Sequence, residues 1–283
     1  MKPCEILQFY EINSQVSKPN INRNIPREIS DIGRSAHNLD YGSLKAALLG
    51  SFSACLAPGP CIITTQDMYS ILLWCTQVIS HSKFRKHQLD VYDLKELLQN
   101  TAITACSGKN LEHTKSLTHF DKLLLKKSSY IFPYLSFPLL ESTLKLANRE
   151  YLASDGAILK GFEATRKYVA NGKSRCSNVK DMLILHYSRR TQQERNEINK
   201  CMSWISEDGH DEAFNEISLW RNGLAHGEDT SCLAGFSILG LCLSVLLSEI
   251  CDEFEEARDS ALHTSMVFYE KSDRPDWCFY PPA

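Results

Sequence analysis

Residues 68–79 read MYSILLWCTQVI, and the spacing of their apolar members decides the fold class. Met68, Ile71, Leu72, Cys75, Val78 and Ile79 recur at the interval of one face of an α-helix. The same interval returns further along the chain. It is traced by Val91, Leu94, Leu98 and Thr101, then by Leu140, Leu144, Ala147 and Tyr151. Val179, Met182, Leu183, His186 and Tyr187 form a further stripe, with Asn178 placed to cap its first turn. Thr191-Gln192-Gln193-Glu194 has the spacing of a capping box, followed on one face by Ile198, Met202 and Ile205. Strand signals are weak. Cys61–Thr65 is the one short β-branched run, and Pro58-Gly59-Pro60 before it reads as a loop. The class expected is all-α.

The chain has 283 residues, of which 43% are apolar and 23% charged, with a net charge of −3. That length suits about two domains and a substantial core. The balance excludes a wholly disordered chain and a polybasic one, so a nucleic-acid contact would need a local patch. Residues 1–40 are polar and rich in Pro and Asn. Lys126–Pro138, with two prolines and a serine pair, reads as a connection, and the domain boundary is placed near residue 130. This divides the chain into a helical region, 1–130, and a second domain, 131–283. Residues 154–177 read as a polar insertion with three glycines, and the end of the chain, Arg274–Pro282, as an aromatic, proline-rich tail.

Eleven cysteines occur, none in a CxxC pair, which excludes zinc-ribbon and thioredoxin-like spacing. Several fall on apolar helical positions, so reduced core thiols of a cytoplasmic protein are expected, not a disulfide framework. The first residues, Met1-Lys2-Pro3-Cys4-Glu5-Ile6, lack the apolar run of a signal peptide. Thr230–Ser248 carries no charge and approaches the length of a bilayer span. Its flanks are acidic, Glu228 and Asp229 before it and Glu249 to Glu256 after, without the Lys/Arg cluster that orients a span. It reads as a buried core or dimer-interface helix, with a membrane-attached helix as the weaker alternative.

The stretch that carries chemistry is Leu219-Trp220-Arg221-Asn222-Gly223-Leu224-Ala225-His226-Gly227. On a helix beginning near Asp211, Phe214, Ile217, Arg221 and Ala225 lie within about 80° of one another. Arg221 then sits on the apolar face, where a guanidinium needs a carboxylate or a phosphate. Asn222 and His226, four residues apart, share a neighbouring face. Gly223 and Gly227 weaken the helix and admit a close approach. A cation for phosphate, an amide to position it and an imidazole to move protons are the minimum equipment for RNA transesterification.

Arg followed by Asn, with His five positions after the Arg and a small-His-Gly ending, resembles the RxxxxH signature of the HEPN superfamily (higher eukaryote and prokaryote nucleotide-binding domains). The resemblance covers roughly residues 131–260 and says nothing of residues 1–130. It implies a HEPN-like helical bundle and a metal-independent endoribonuclease with no cofactor and no metal. It further implies RNA as substrate, a toxin-like or phage-defence role and, with these, a regulatory partner. Arg221 would hold the scissile phosphate and Asn222 would orient phosphate or histidine. His226 would act as general base on a ribose 2′-OH or as general acid to the 5′-oxygen. Products would carry 2′,3′-cyclic phosphate ends. In the family two motifs meet across a homodimer interface, and the uncharged 230–248 helix is a candidate part of it. The alternative reading is a non-catalytic HEPN-like nucleotide-binding or interaction module. In that reading Arg221 pairs with a helix carboxylate such as Glu141, and His226 caps a carbonyl.

Arg258-Asp259-Ser260-Ala261-Leu262-His263 also satisfies the bare formula, without the small-His-Gly context, and is read as coincidence. Between Lys160 and Lys200 lie ten basic and four acidic residues, either an RNA-tracking patch or solvated helix faces. His81 with His87, and His113 with His119, lack carboxylates or cysteines at ligand spacing. No P-loop, dinucleotide fingerprint or nucleophile elbow is present.

Overall fold

The computed structural model describes residues 36–56, 65–85, 92–107, 118–171, 174–227 and 232–269. They form an all-α architecture with one small hairpin. After a 3-10 turn at Ala36–Asn38 come α1 (Tyr41–Leu56), α2 (Thr65–His81), α3 (Tyr92–Ser107) and the long α4 (His119–Ala147). The hairpin of β1 (Phe162–Glu163) and β2 (Lys167–Tyr168) follows, then α5 (Val179–Ser188), α6 (Gln192–Met202) and α7 (His210–Ala225). Next come α8 (Cys232–Glu249), a 3-10 turn at Cys251–Glu253, and α9 (Phe254–Tyr269).

The stripes read from the sequence become the core. Ile71, Leu72, Cys75 and Val78 of α2 are fully buried, as are Leu98, Leu140 and Leu144. Local capping follows the side chains. Asn178 accepts from the Lys180 N–H at the start of α5, and Thr191 and Glu194 close the capping box of α6.

The Lys126–Pro138 connection is corrected: it is the middle of α4, a 29-residue helix that carries Pro133 and Pro138 inside it. Each proline removes one backbone donor. Phe132, Phe137, Leu139 and Leu140 around them are buried against α3 and α8, and this tertiary packing outweighs the lost bonds. Residue 130, the expected domain boundary, therefore lies within a helix. The buried core runs as one cluster from Ala36 to Ala261, on both sides of that residue.

The uncharged segment becomes α8, the central helix. It packs on α4 and α1 and also touches α2 and α6. Two glycines let neighbours reach its backbone. A Cβ on Gly235 would lie 2.7 Å from the Phe132 ring, and one on Gly240 would lie 2.8 Å from Phe52 and 2.9 Å from Trp204. Among its described side chains Leu233 alone is exposed, so little of α8 is left to form an interface with a second chain. Among the described residues, no single helix is long and apolar enough to cross a membrane.

The polar insertion is an ordered excursion held by a buried acid. Phe162 pairs with Tyr168 and Glu163 with Lys167 across the hairpin. The fully buried Asp181 of α5 accepts from the Thr165 hydroxyl and amide, and from Tyr168 Oη at 2.6 Å. Gly156 (φ +85°) lies so close to the Cys176 carbonyl that a Cβ would come within 2.8 Å of its oxygen. The Cys61–Thr64 part of the expected β-branched run and the C-terminal tail from residue 270 lie outside the described residues.

Candidate functional site

Helix α7 presents the Arg-Asn-His stretch. Ala213, Phe214, Ile217 and Leu224 form its buried face. Leu224, not Ala225, closes that face at the last turn, which leaves Arg221 at its margin and Ala225 exposed. The Arg221 side chain is 39% exposed. Its Nε and Nη2 each stand 3.4 Å from Oε1 of Glu141 on α4. The carboxylate partner named from the sequence is therefore present, at the long end of hydrogen bonding and on a single oxygen.

His226 ends the helix. Its backbone N–H donates to the carbonyls of Asn222 (3.1 Å) and Gly223 (3.0 Å). Gly227 follows at φ +78°, the left-handed conformation that commonly terminates a helix. The imidazole itself caps no carbonyl among the described residues. Asn222 and His226 are both exposed, and no hydrogen bond to either side chain is present among the described residues. On the helix they stand about 40° apart, one turn from each other, while Arg221 points about 100° away from Asn222 toward α4. Asn222 and His226 thus share an outward face, and Arg221 lies on the flank between that face and α4.

The expected basic patch is largely engaged within the chain. Arg189 pairs with Glu150 at 2.6 Å and lies over the Tyr151 ring, Arg175 pairs with Asp155 at 2.9 Å, and Arg190 with Glu249 at 2.8 Å. Arg195 donates to the Tyr187 and Ser188 carbonyls, Arg166 to Tyr168 Oη, and Lys180 to Asn215. Three of the acidic partners, Glu150, Asp155 and Glu249, come from outside the Lys160–Lys200 window. The positive balance of that window is therefore offset in three dimensions.

Sequence reasoning missed a second polar cluster, where α5, α6, α8 and α1 meet. His186, Arg190, Glu194, Glu197, Ser244 and Ser248 line a cavity there. Lys45 of α1 enters it, bonding Ser248 Oγ at 2.8 Å and pairing with Glu197. Arg190 Nη2 lies 3.3 Å from His186 Nδ1. An arginine can only donate, so Nδ1 accepts and the imidazole proton is on Nε2. Burial, reinforced by Arg190 and Arg189, holds the His186 pKa well below its ordinary value of 6.5. The cavity is small, with room for about one water. Opposite charges pair throughout, so the cluster reads as a buried clasp between helices. The signal for it was scattered over four elements, with only the Arg190–Glu194 spacing visible locally.

The other candidates resolve simply. Arg258 pairs with Glu255 at 2.6 Å and with Asp259 at 3.2 Å. His81 contacts the Gln77 carbonyl and Thr264 Oγ1. His87 and His113 lie outside the described residues, as does the side chain of His119. Among the described residues no group of His, Cys, Asp and Glu is placed to hold a metal ion. Cys75, Cys106, Cys176, Cys201, Cys242 and Cys251 form no disulfide among the described residues, and burial pushes the Cys201 and Cys242 thiols up to about 12. No family model, curated protein or solved structure matches the chain.

Proposed function

We propose that the chain is a HEPN-like endoribonuclease that cleaves RNA by transesterification at the ribose 2′-OH, without a metal ion or cofactor. The observation that carries the reading is the accessibility of the motif. An amide and an imidazole, neither bonded among the described residues, stand one turn apart at the outward end of α7. On the flank toward α4 is a guanidinium 39% exposed, whose contact to Glu141 is loose enough, at 3.4 Å, for a phosphate to compete.

In this reading Arg221 grips the scissile phosphate and stabilises the charge that grows on it. Asn222 orients the phosphate, and His226 transfers a proton. A single chain offers one imidazole in this motif, so the resemblance supplies the second set from a homodimer. The cytoplasmic setting, a regulatory partner and a role in defence or as a toxin belong to the same proposal, by analogy.

The Glu141–Arg221 pair favours a second reading, a non-catalytic HEPN-like module whose arginine serves packing. Purified protein incubated with mixed RNA in EDTA decides between them. The nuclease reading expects cleavage that His226→Ala and Arg221→Ala each abolish, with both variants folded. Cleavage by His226→Ala at the wild-type rate would refute it.

A further inference from the structure

We infer that Glu141 is the second proton-transfer group of this site, the general base that activates the 2′-OH while His226 acts as general acid. The inference rests on the nuclease reading and adds to it a proton acceptor carried by the same chain. Transesterification moves two protons, one off the attacking oxygen and one onto the leaving oxygen, so two groups must flank the phosphate. On α7 the motif supplies one of them. The other is found on α4.

Three observations point to Glu141. It is the carboxylate that approaches Arg221 among the described residues, reaching both Nε and Nη2 through one oxygen. A phosphate held on the remaining guanidinium hydrogens therefore lies beside that carboxylate. Charge-assisted contacts of about 2.8 Å to the phosphate would bring the neighbouring 2′-OH into hydrogen-bond range of it.

Secondly, Glu141 Oε2 has no hydrogen bond among the described residues, and an oxygen without a donor is what a general base must offer. Thirdly, the contact to Arg221 is long and the carboxylate is 22% exposed, so it is reachable by a substrate bound at the guanidinium. A structural clamp would be shorter and would use both oxygens.

The step balances within the chain and its substrate. Glu141 takes the 2′-OH proton as O2′ forms its bond to phosphorus. The bond from phosphorus to O5′ breaks, and the imidazolium of His226 donates its proton to O5′. The products are a 2′,3′-cyclic phosphate and a 5′-OH. Glu141 leaves protonated and His226 neutral, and solvent resets both.

The test is the pH profile of kcat in EDTA for wild type, Glu141→Gln, Glu141→Asp and His226→Ala. Thermal unfolding of each variant is measured alongside. The pair is half-buried and its contact is long, so its loss costs little of the total stability and the Glu141 variants fold. Wild type is expected to give a bell. Glu141→Gln loses about 10²–10⁴-fold in kcat with KM little changed, and its acid limb disappears. Glu141→Asp keeps both limbs at a lower rate, and His226→Ala loses the alkaline limb.

Glu141→Gln with wild-type kcat would overturn the inference and leave the nuclease reading standing. So would a reduced kcat with both limbs intact, which marks a merely structural partner of Arg221. Wild-type protein with no cleavage at any pH would overturn both.

Discussion

Adding one methyl group to Gly240 tests whether α8 is the central helix of this fold. A Cβ there would stand 2.8 and 3.0 Å from two atoms of the Phe52 ring and 2.9 Å from Trp204. The two rings are stacked on each other at 5.6 Å, and Phe52 is 1% exposed, so the Phe52 ring cannot turn aside freely. Overpacking of this kind costs about 1–3 kcal/mol. Replacing a helical glycine by alanine returns about 1 kcal/mol of backbone propensity. With two atoms of the enclosed Phe52 ring inside contact distance the steric cost falls in the upper half of its range. The net loss for Gly240→Ala is therefore about 1–2 kcal/mol, a fall of about 2–8 °C in the thermal midpoint at this chain length. Thermal unfolding followed by circular dichroism at fixed pH reads it directly. A midpoint unchanged or raised, as for an unhindered helical glycine, would show that α8 is not seated against α1 and the turn after α6.

Other outcomes follow from the clasp at His186. The folded state holds this imidazole neutral, below its ordinary pKa, while the unfolded chain protonates it near 6.5. Stability is therefore full above about pH 6.5 and falls as pH drops below it, by up to about 1.4 kcal/mol per unit. His186→Gln flattens that slope in urea midpoints taken between about pH 7.5 and 5, and a parallel slope in the variant counts against the assignment. Glu249 is 9% exposed and receives both Arg149 and Arg190. Glu249→Ala leaves those guanidiniums without their shared carboxylate and costs about 3 kcal/mol in the same assay, whereas a loss under about 0.5 kcal/mol would mean the pairs are solvated. Among the described thiols, the exposed Cys251 reacts quickly with a thiol reagent in native buffer, while Cys201 and Cys242 react only after unfolding, as read by peptide mass spectrometry.

Elements whose cause is local were legible in the sequence. The stripes of α2, α3 and α5 fixed helix and buried face together, and Asn178 and the Thr191–Glu194 box marked the starts of α5 and α6. The Glu141–Arg221 pair was foreseeable because a guanidinium at the edge of an apolar face needs an acid. What escaped the sequence depends on distant partners. Pro133 and Pro138 read as a break because their local effect is to interrupt a helix. Packing of α4 on α3 and α8 overrides it. The 154–177 segment read only as a polar insertion because its anchor, Asp181, comes from the following helix. The direction of the candidate site was half legible. Spacing placed Asn222 and His226 on one face, but the apolar face closes on Leu224, which turns Arg221 toward α4. The basic window read as either an RNA track or solvated helix faces because its counterions are remote in sequence.

2′-OH transesterification at the α7 motif leaves its signature in the chemistry of the cut ends. RNA oligonucleotides incubated with the wild-type protein in EDTA are predicted to yield 2′,3′-cyclic phosphate and 5′-OH termini by mass spectrometry. A single 2′-deoxy substitution at the scissile nucleotide is predicted to abolish the cut. Termini bearing 3′-OH and 5′-phosphate, or equal cutting of the 2′-deoxy substrate, would rule out attack by the 2′-OH.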